Sequence, residues 1–223
     1  MIPWLRLDAV ELEDGVELRL MRRGDEFSIM LGSNELMNSR LSGSEEALAN
    51  LASERLEGRA GPRMLIGGLG MGFTLRAALK HLDKDAGITV AELVPEVIAW
   101  AKGPMAEVFD SCLDDPRVTI YQGDVGELIR GSDRAWDAII LDVDNGPDGL
   151  TRKGNDALYS AQGLAAAYLA LLPGGIFSVW SSAPDPAFTR RLKQAGFQVA
   201  EVPTRASTKK RGARHMIWMA TRP

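Results

Sequence analysis

Residues 63–82 read as an apolar strand that breaks into a glycine-spaced turn and then into a helix, an order that limits what the whole chain can become. The strand is Arg63-Met64-Leu65-Ile66-Gly67, the turn Gly68-Leu69-Gly70-Met71-Gly72, and Leu75, Ala78, Leu79 and Leu82 continue at helical spacing after Phe73. Glycines there let bare backbone approach a ligand at a helix N-terminus. Such a site suits a nucleotide or nucleoside. Twenty residues beyond Gly72, Glu92 closes a second strand-like run, Ile88-Thr89-Val90-Ala91. A carboxylate in that place can accept both hydrogen bonds from a ribose diol. The two signals together imply a cofactor site where a glycine turn alone would not.

The rest of the chain repeats strand then helix: 64–67 and 73–82, 88–93 and 96–102, 118–121 and 125–130, 138–141 and 157–172, 176–180 and 187–195. Continuous, β-branched-rich strands in this alternation specify a parallel sheet covered on both faces. The last two strands, 198–202 and 216–220, have no helical pattern between them, so the final one should return antiparallel. Ahead of this lie three short alternating runs divided by the turns Asp14-Gly15 and Gly24-Asp25, a small antiparallel meander. A helix opens at Ser44-Glu45-Glu46 and is broken by Gly58-Arg59-Ala60-Gly61-Pro62. The expected fold is therefore α/β, a doubly wound, mostly parallel seven-stranded sheet with an N-terminal β-meander. The expected division is 1–60 for the meander and linking helix, and 61–223 for the nucleoside-binding domain.

With 45% apolar residues, 25% charged residues and a net charge of -4, the chain has no composition for a broad nucleic-acid or membrane-binding face. Cys112 stands alone, so no intrachain disulfide exists, and buried filler is its expected role. The first residues lack a charged region followed by an apolar segment, and no apolar run approaches membrane-spanning length. A cytoplasmic protein is expected. His81 and His215 have no acidic or cysteine partners at ligand spacing, so no metal is expected.

After the third parallel strand comes Tyr121-Gln122-Gly123-Asp124-Val125. The Asp124 carboxylate can accept from an adenine amine and the Val125 backbone can meet the ring edge, although Asp124 would serve equally as a helix N-cap. A dinucleotide fingerprint wants a glycine where Phe73 stands, which makes NAD the weaker fit. These features together resemble the class I S-adenosylmethionine-dependent transferases. The resemblance narrows to the spermidine synthase group, which has a β-meander, a glycine turn ending in Leu-Arg (here Leu75-Arg76), an acidic strand end (Ala91-Glu92-Leu93), Gly123-Asp124, and a strand entering an acidic loop (residues 136–147). Leu158-Tyr159 and Leu172-Pro173-Gly174-Gly175 also fall where the group has related pairs and turns. The resemblance implies cofactor contacts from Gly68, Leu69, Gly70, Gly72, Glu92, Leu93, Asp124, Val125 and Asp142.

Where the group has an aspartate to hold the amine of an aminopropyl donor, this chain has Met71; its Arg-Glu pair is Arg76-Ala77; a later acidic position is Asn145. A basic run around Lys209, Lys210, Arg211 and Arg214 replaces a polyamine-channel segment, as a receiver of an acidic substrate or as a solvated turn. Displacement at a sulfonium requires an aligned nucleophile relieved of its proton. Asp142, at the end of a buried strand, is the expected base, with Asp144 in reserve and Asn145 toward the acceptor; Tyr159 is a candidate to donate its hydroxyl to the acceptor, although a tyrosine opening an apolar helix more often serves as packing. The leading expectation is methyl transfer from S-adenosylmethionine to a small polar acceptor. The alternatives are aminopropyl transfer from decarboxylated S-adenosylmethionine and a non-catalytic nucleoside-binding paralogue. Neither nucleic acid nor membrane is an expected partner, whereas the edges of the meander make a homodimer possible.

Overall fold

A computed structural model describes residues 2–12, 15–143, 156–205 and 214–223. The chain opens with β1 (Leu5–Glu11), β2 (Glu17–Arg23), β3 (Glu26–Leu31) and β4 (Asn34–Asn38), an antiparallel sheet in that order. Leu18 and Leu20 of β2 and Phe27 and Ile29 of β3 are buried together, as their alternation requires. The sequence pattern marks only three of these strands. Asn34-Glu35-Leu36-Met37-Asn38 carries too little alternation to declare the fourth.

Helix α1 (Gly43–Glu54) leads into β5 (Arg63–Gly67), α2 (Phe73–His81), β6 (Gly87–Glu92), α3 (Pro95–Lys102), α4 (Ala106–Phe109), a 3-10 turn at Cys112–Asp114, β7 (Val118–Gln122), α5 (Val125–Arg130) and β8 (Trp136–Leu141). Then come α6 (Asp156–Tyr159), α7 (Ala161–Ala170), β9 (Leu171–Ser181), α8 (Pro186–Gln194), β10 (Gln198–Arg205) and β11 (Arg214–Thr221). The large sheet has seven strands in the order β10-β11-β9-β8-β5-β6-β7. Strands β5 to β9 run parallel, and β11 lies antiparallel between β9 and β10. This is the expected fold, closing strand included.

One expected helix is two. The Ser160 side chain accepts from Gly163 N at 3.1 Å and donates to the Ala157 carbonyl at 2.8 Å, so it ends α6 and caps α7. The strand that follows begins at Leu171, earlier than its pattern implies, because the turn at Pro173-Gly174-Gly175 lies within it.

Alternation along the central strands feeds two packed layers. Met64 and Ile66 join Leu48 of α1, Leu75 of α2 and Trp100 of α3, whereas Leu65 joins Ile129 of α5, Leu164 of α7 and Phe188 of α8. The buried face of the small sheet belongs to the first layer, so one apolar core runs beneath both sheets. A polar tie reinforces it: Trp100 Nε1 of α3 donates to Asp8 Oδ2 of β1 at 2.7 Å. Among the described residues no helix is long and apolar enough to cross a membrane.

The parallel strands β5 and β8 are adjacent, while the chain runs from β5 outward to β6 and β7 before returning to β8. Their carboxyl ends therefore flank the switch point where such sheets open a crevice. The glycine turn fills that place. Gly72 precedes α2 at φ 74°, and an added Cβ would stand 2.6 Å from the Phe109 ring. Gly72→Ala is expected to cost about 1–3 kcal/mol of stability through strain and crowding. Gly87→Ala, where a Cβ meets nothing within 4 Å, should stay within about 0.5 kcal/mol of wild type. Denaturant unfolding of both variants checks the pair.

Candidate active site

The glycine turn is held by the second strand end. Gly68 N donates to the Ala91 carbonyl at 2.8 Å, and Leu69 N donates to Glu92 Oε2 at 3.0 Å. The other oxygen, Glu92 Oε1, accepts from Val94 N at 2.8 Å. Gly68 has φ 93°, and a Cβ there would collide with the Asp142 carbonyl oxygen. The close approach of residues 68 and 142 is what demands glycine.

Above this turn lies a cleft enclosing about 810 Å³, open solvent included. Its floor is Gly68, Gly70, Glu92, Gly123, Asp124 and Asp142, and Leu93 and Val94 form a rim. Its roof is apolar and comes from the small sheet: Leu18, Ile29, Leu31, Leu36 and Met37. An ionised carboxylate offers about four acceptor positions, so Glu92 can hold its backbone partners and still receive a ligand hydroxyl. Asp124 takes the cap role and stands in the cleft lining as well. Its carboxylate caps α5 by accepting from Gly126 N at 2.8 Å, and it also lines the cleft beside Val125. Half-exposed Leu93 gives a flat base an apolar edge to lie against.

A second cleft of about 660 Å³, open solvent included, shares Leu36, Met37, Gly70, Asp142 and Val143 with the first. It continues past Leu69, Met71 and Phe73 to Asn38, Glu45 and Trp180. Asp142 stands at the junction. Its backbone N donates to the Gly67 carbonyl at 2.9 Å, and Thr74 Oγ1 donates to its Oδ2 at 2.7 Å.

Burial pushes the Asp142 carboxyl up to about 7, the nearby Glu45 carboxylate pushes in the same direction, and the Thr74 hydroxyl opposes both. Glu45 is also raised, first by burial, with the Ser44 hydroxyl at 2.7 Å holding it down. A carboxylate poised near neutrality can take a proton from a nucleophile.

The structure brings Gly68, Gly70, Glu92, Leu93, Asp124, Val125 and Asp142 to the first cleft and Leu69 to the second. Gly72 lies behind the turn, against Phe109, where its demand is for packing room. Tyr159 does not join them. It is 4% exposed, and its ring packs edge-on against Phe188 of α8 at 5.6 Å, in the layer beneath the opposite face of the sheet. Tyr159 is the last residue of α6, and tertiary packing turns it inward. Asp144 and Asn145 lie outside the described residues, as do Lys209, Lys210 and Arg211. Arg214 is exposed at the start of β11. Among the described residues no three His, Cys, Asp or Glu side chains cluster as metal ligands. Glu45 and Thr74 carry no distinguishing mark in the sequence, since an acid in a first helical turn is what the helix dipole favours anyway.

Residues 44–197 match the family model of the spermine/spermidine synthase domain. The chain belongs to that family. The polyamine aminopropyltransferase of Mycobacterium tuberculosis is 28% identical over 192 residues, which is 82% of this chain and 35% of the relative. Polyamine aminopropyltransferase 1 of Streptomyces coelicolor is 30% identical over 146 residues, 62% of this chain and 27% of the relative. The match thus spans about a quarter to a third of the length of these curated relatives. A spermidine synthase solved in complex with the transition-state analogue AdoDATO superposes with a TM-score of 0.76 at 20% identity, over 98% of this chain and 72% of that one. The spermidine synthase of Thermotoga maritima gives 0.75 at 21% identity with the same coverage. These two likenesses establish the fold, and the family model establishes the kinship.

Folded Asp142 keeps its proton up to about pH 7, whereas an unfolded aspartate releases it near pH 4. Its contribution to stability is therefore full below about pH 4 and is lost as pH rises through about 7. Asp142→Asn should flatten that part of the profile. Unfolding midpoints of ligand-free wild type and variant across pH 4–8 are the measurement.

Proposed function

We propose that the chain transfers an aminopropyl group from decarboxylated S-adenosylmethionine to a small alkylamine. The observation that carries this reading is the charge of the second cleft: its described lining holds Glu45 and Asp142 and no lysine or arginine. The methionine end of S-adenosylmethionine bears a carboxylate, which two acids would repel at close range. The decarboxylated donor ends in an ammonium alone. An amine acceptor carries the same sign of charge.

Met71, 4% exposed in the cleft wall, is the residue from which methyl transfer was the leading expectation. That expectation counts the acids missing at positions 71, 77 and 145 and the basic run near the C-terminus, and counts no acid supplied from another element. Glu45 arrives from α1, a different element, so replacing an aspartate by Met71 does not leave the cleft neutral. The names of the relatives, polyamine aminopropyltransferases, support the same choice.

In this reading the first cleft holds the nucleoside, with Glu92 at the sugar and Asp124 and Val125 at the base. Asp142 receives the proton that the acceptor nitrogen loses as it forms its bond to the aminopropyl carbon. The carbon–sulfur bond breaks, its electron pair stays on sulfur, and 5′-methylthioadenosine leaves as a neutral thioether. Thr74 orients the Asp142 carboxylate and stabilises its ionised form through the hydrogen bond at 2.7 Å.

Incubation with decarboxylated S-adenosylmethionine and 1,4-diaminobutane is expected to yield methylthioadenosine and the extended amine in equal amounts. S-adenosylmethionine with the same acceptor should yield no S-adenosylhomocysteine. The reverse pair of products overturns the proposal. Because Asp142 acts ionised, kcat/KM should rise with pH through about 7. Thr74→Ala, which removes a hydrogen bond to the ionised form, should move that limb to higher pH.

A further inference from the structure

Glu45 is the one residue of α1 in the lining of the second cleft, and the mechanism above leaves it unused. It lies in the first turn of a twelve-residue helix, where the helix dipole and the Ser44 hydroxyl favour its charged form. The surroundings oppose that charge. Leu69, Met71, Phe73 and Trp180 are apolar, Asn38 is neutral, and Asp142 is a second acid close enough to repel it. Two carboxylates facing one cleft without a cation among the described lining residues form an incomplete charge arrangement.

The shared walls at Gly70, Met37 and Asp142 show what can complete it. A substituent leaving a nucleoside in the first cleft passes Gly70 and enters the second. An alkylammonium there places three N–H donors between the acids and lays its methylenes along Met71 and Phe73.

We propose that Glu45 is a specificity-determining carboxylate that, together with Asp142, receives the terminal ammonium of an aminoalkyl chain entering the second cleft. The inference rests on the aminopropyl-transfer reading and adds a residue to it. Met71 leaves position 71 without a charge, and Glu45 supplies one from another element of the fold. Two ligands present that ammonium, the donor's aminopropyl end and the diamine acceptor.

Calorimetric titrations of the full chain, wild type and Glu45→Gln, separate the possibilities with three probes. 5′-Methylthioadenosine has the nucleoside and no amine, decarboxylated S-adenosylmethionine has both, and 1,4-diaminobutane is titrated onto protein saturated with methylthioadenosine. Glu45→Gln should leave the affinity for methylthioadenosine unchanged and weaken at least one amine-bearing probe by about tenfold or more, as expected for losing a charge-assisted contact. A loss confined to the donor assigns Glu45 to the aminopropyl end; one confined to the diamine assigns it to the acceptor. Retained affinity for both amines overturns the inference while leaving the proposed function standing. Equal losses for methylthioadenosine and the amines mark a purely structural role and overturn it as well. A wild type that binds none of the three removes the proposed function and this inference together.

Discussion

The carboxylate of Glu92 organises the site. One oxygen holds the Leu69 amide inside the glycine turn and the other holds the Val94 amide at the start of the next connection. Hydrogen bonds to a charged acceptor are worth about 1.5–3 kcal/mol each, enough to fix a turn whose glycines otherwise raise the entropy cost of ordering it. With residues 68–72 so held, Gly68 packs under Asp142 and the ends of β5, β6 and β8 converge on one point. The first and second clefts meet at that point, sharing Gly70 and Asp142.

The small sheet matters to function because it forms a roof. Four or five strands of a parallel sheet can build the floor of a nucleoside site, but its open side faces water. Here Leu18, Ile29, Leu31, Leu36 and Met37 close it, with the Met37 sulfur positioned 3.1 Å from where a Cβ at Gly70 would stand. The buried face of the same sheet is continuous with the core that packs α1, α2 and α3. Burial raises the carboxyls of both Asp142 and Glu45, and Leu36 and Met37 of the small sheet line the second cleft with them.

The parts legible in the sequence are those where backbone geometry and burial leave few residue choices. Residues 64–67 of β5 and 138–141 of β8 are buried and read as unbroken apolar runs, and the turn at 68–72 needs glycine for steric reasons. Glu92 is legible through its spacing from that turn. For Tyr159 the sequence favours packing over an acceptor contact, and its burial against Phe188 agrees, but the pattern does not say which face of the sheet it covers. Strand β4 places adjacent Leu36 and Met37 among polar residues and so shows no alternation, and Ser160 divides α6 from α7 through side-chain hydrogen bonds that leave the apolar period unbroken. The charge of the second cleft is the largest omission. Position 71 read alone implies its loss, yet a carboxylate from α1 reaches the same space, and no local pattern connects residues 45, 71 and 142.

The most direct test of the account is a crystal structure of the chain with 5′-methylthioadenosine. The account predicts ribose hydroxyls on Glu92, the base between Leu93 and Val125 near Asp124, and the sulfur beside Gly70 and Asp142 where the clefts meet. A nucleoside bound elsewhere, or in this cleft with its sugar turned away from Glu92, would contradict it.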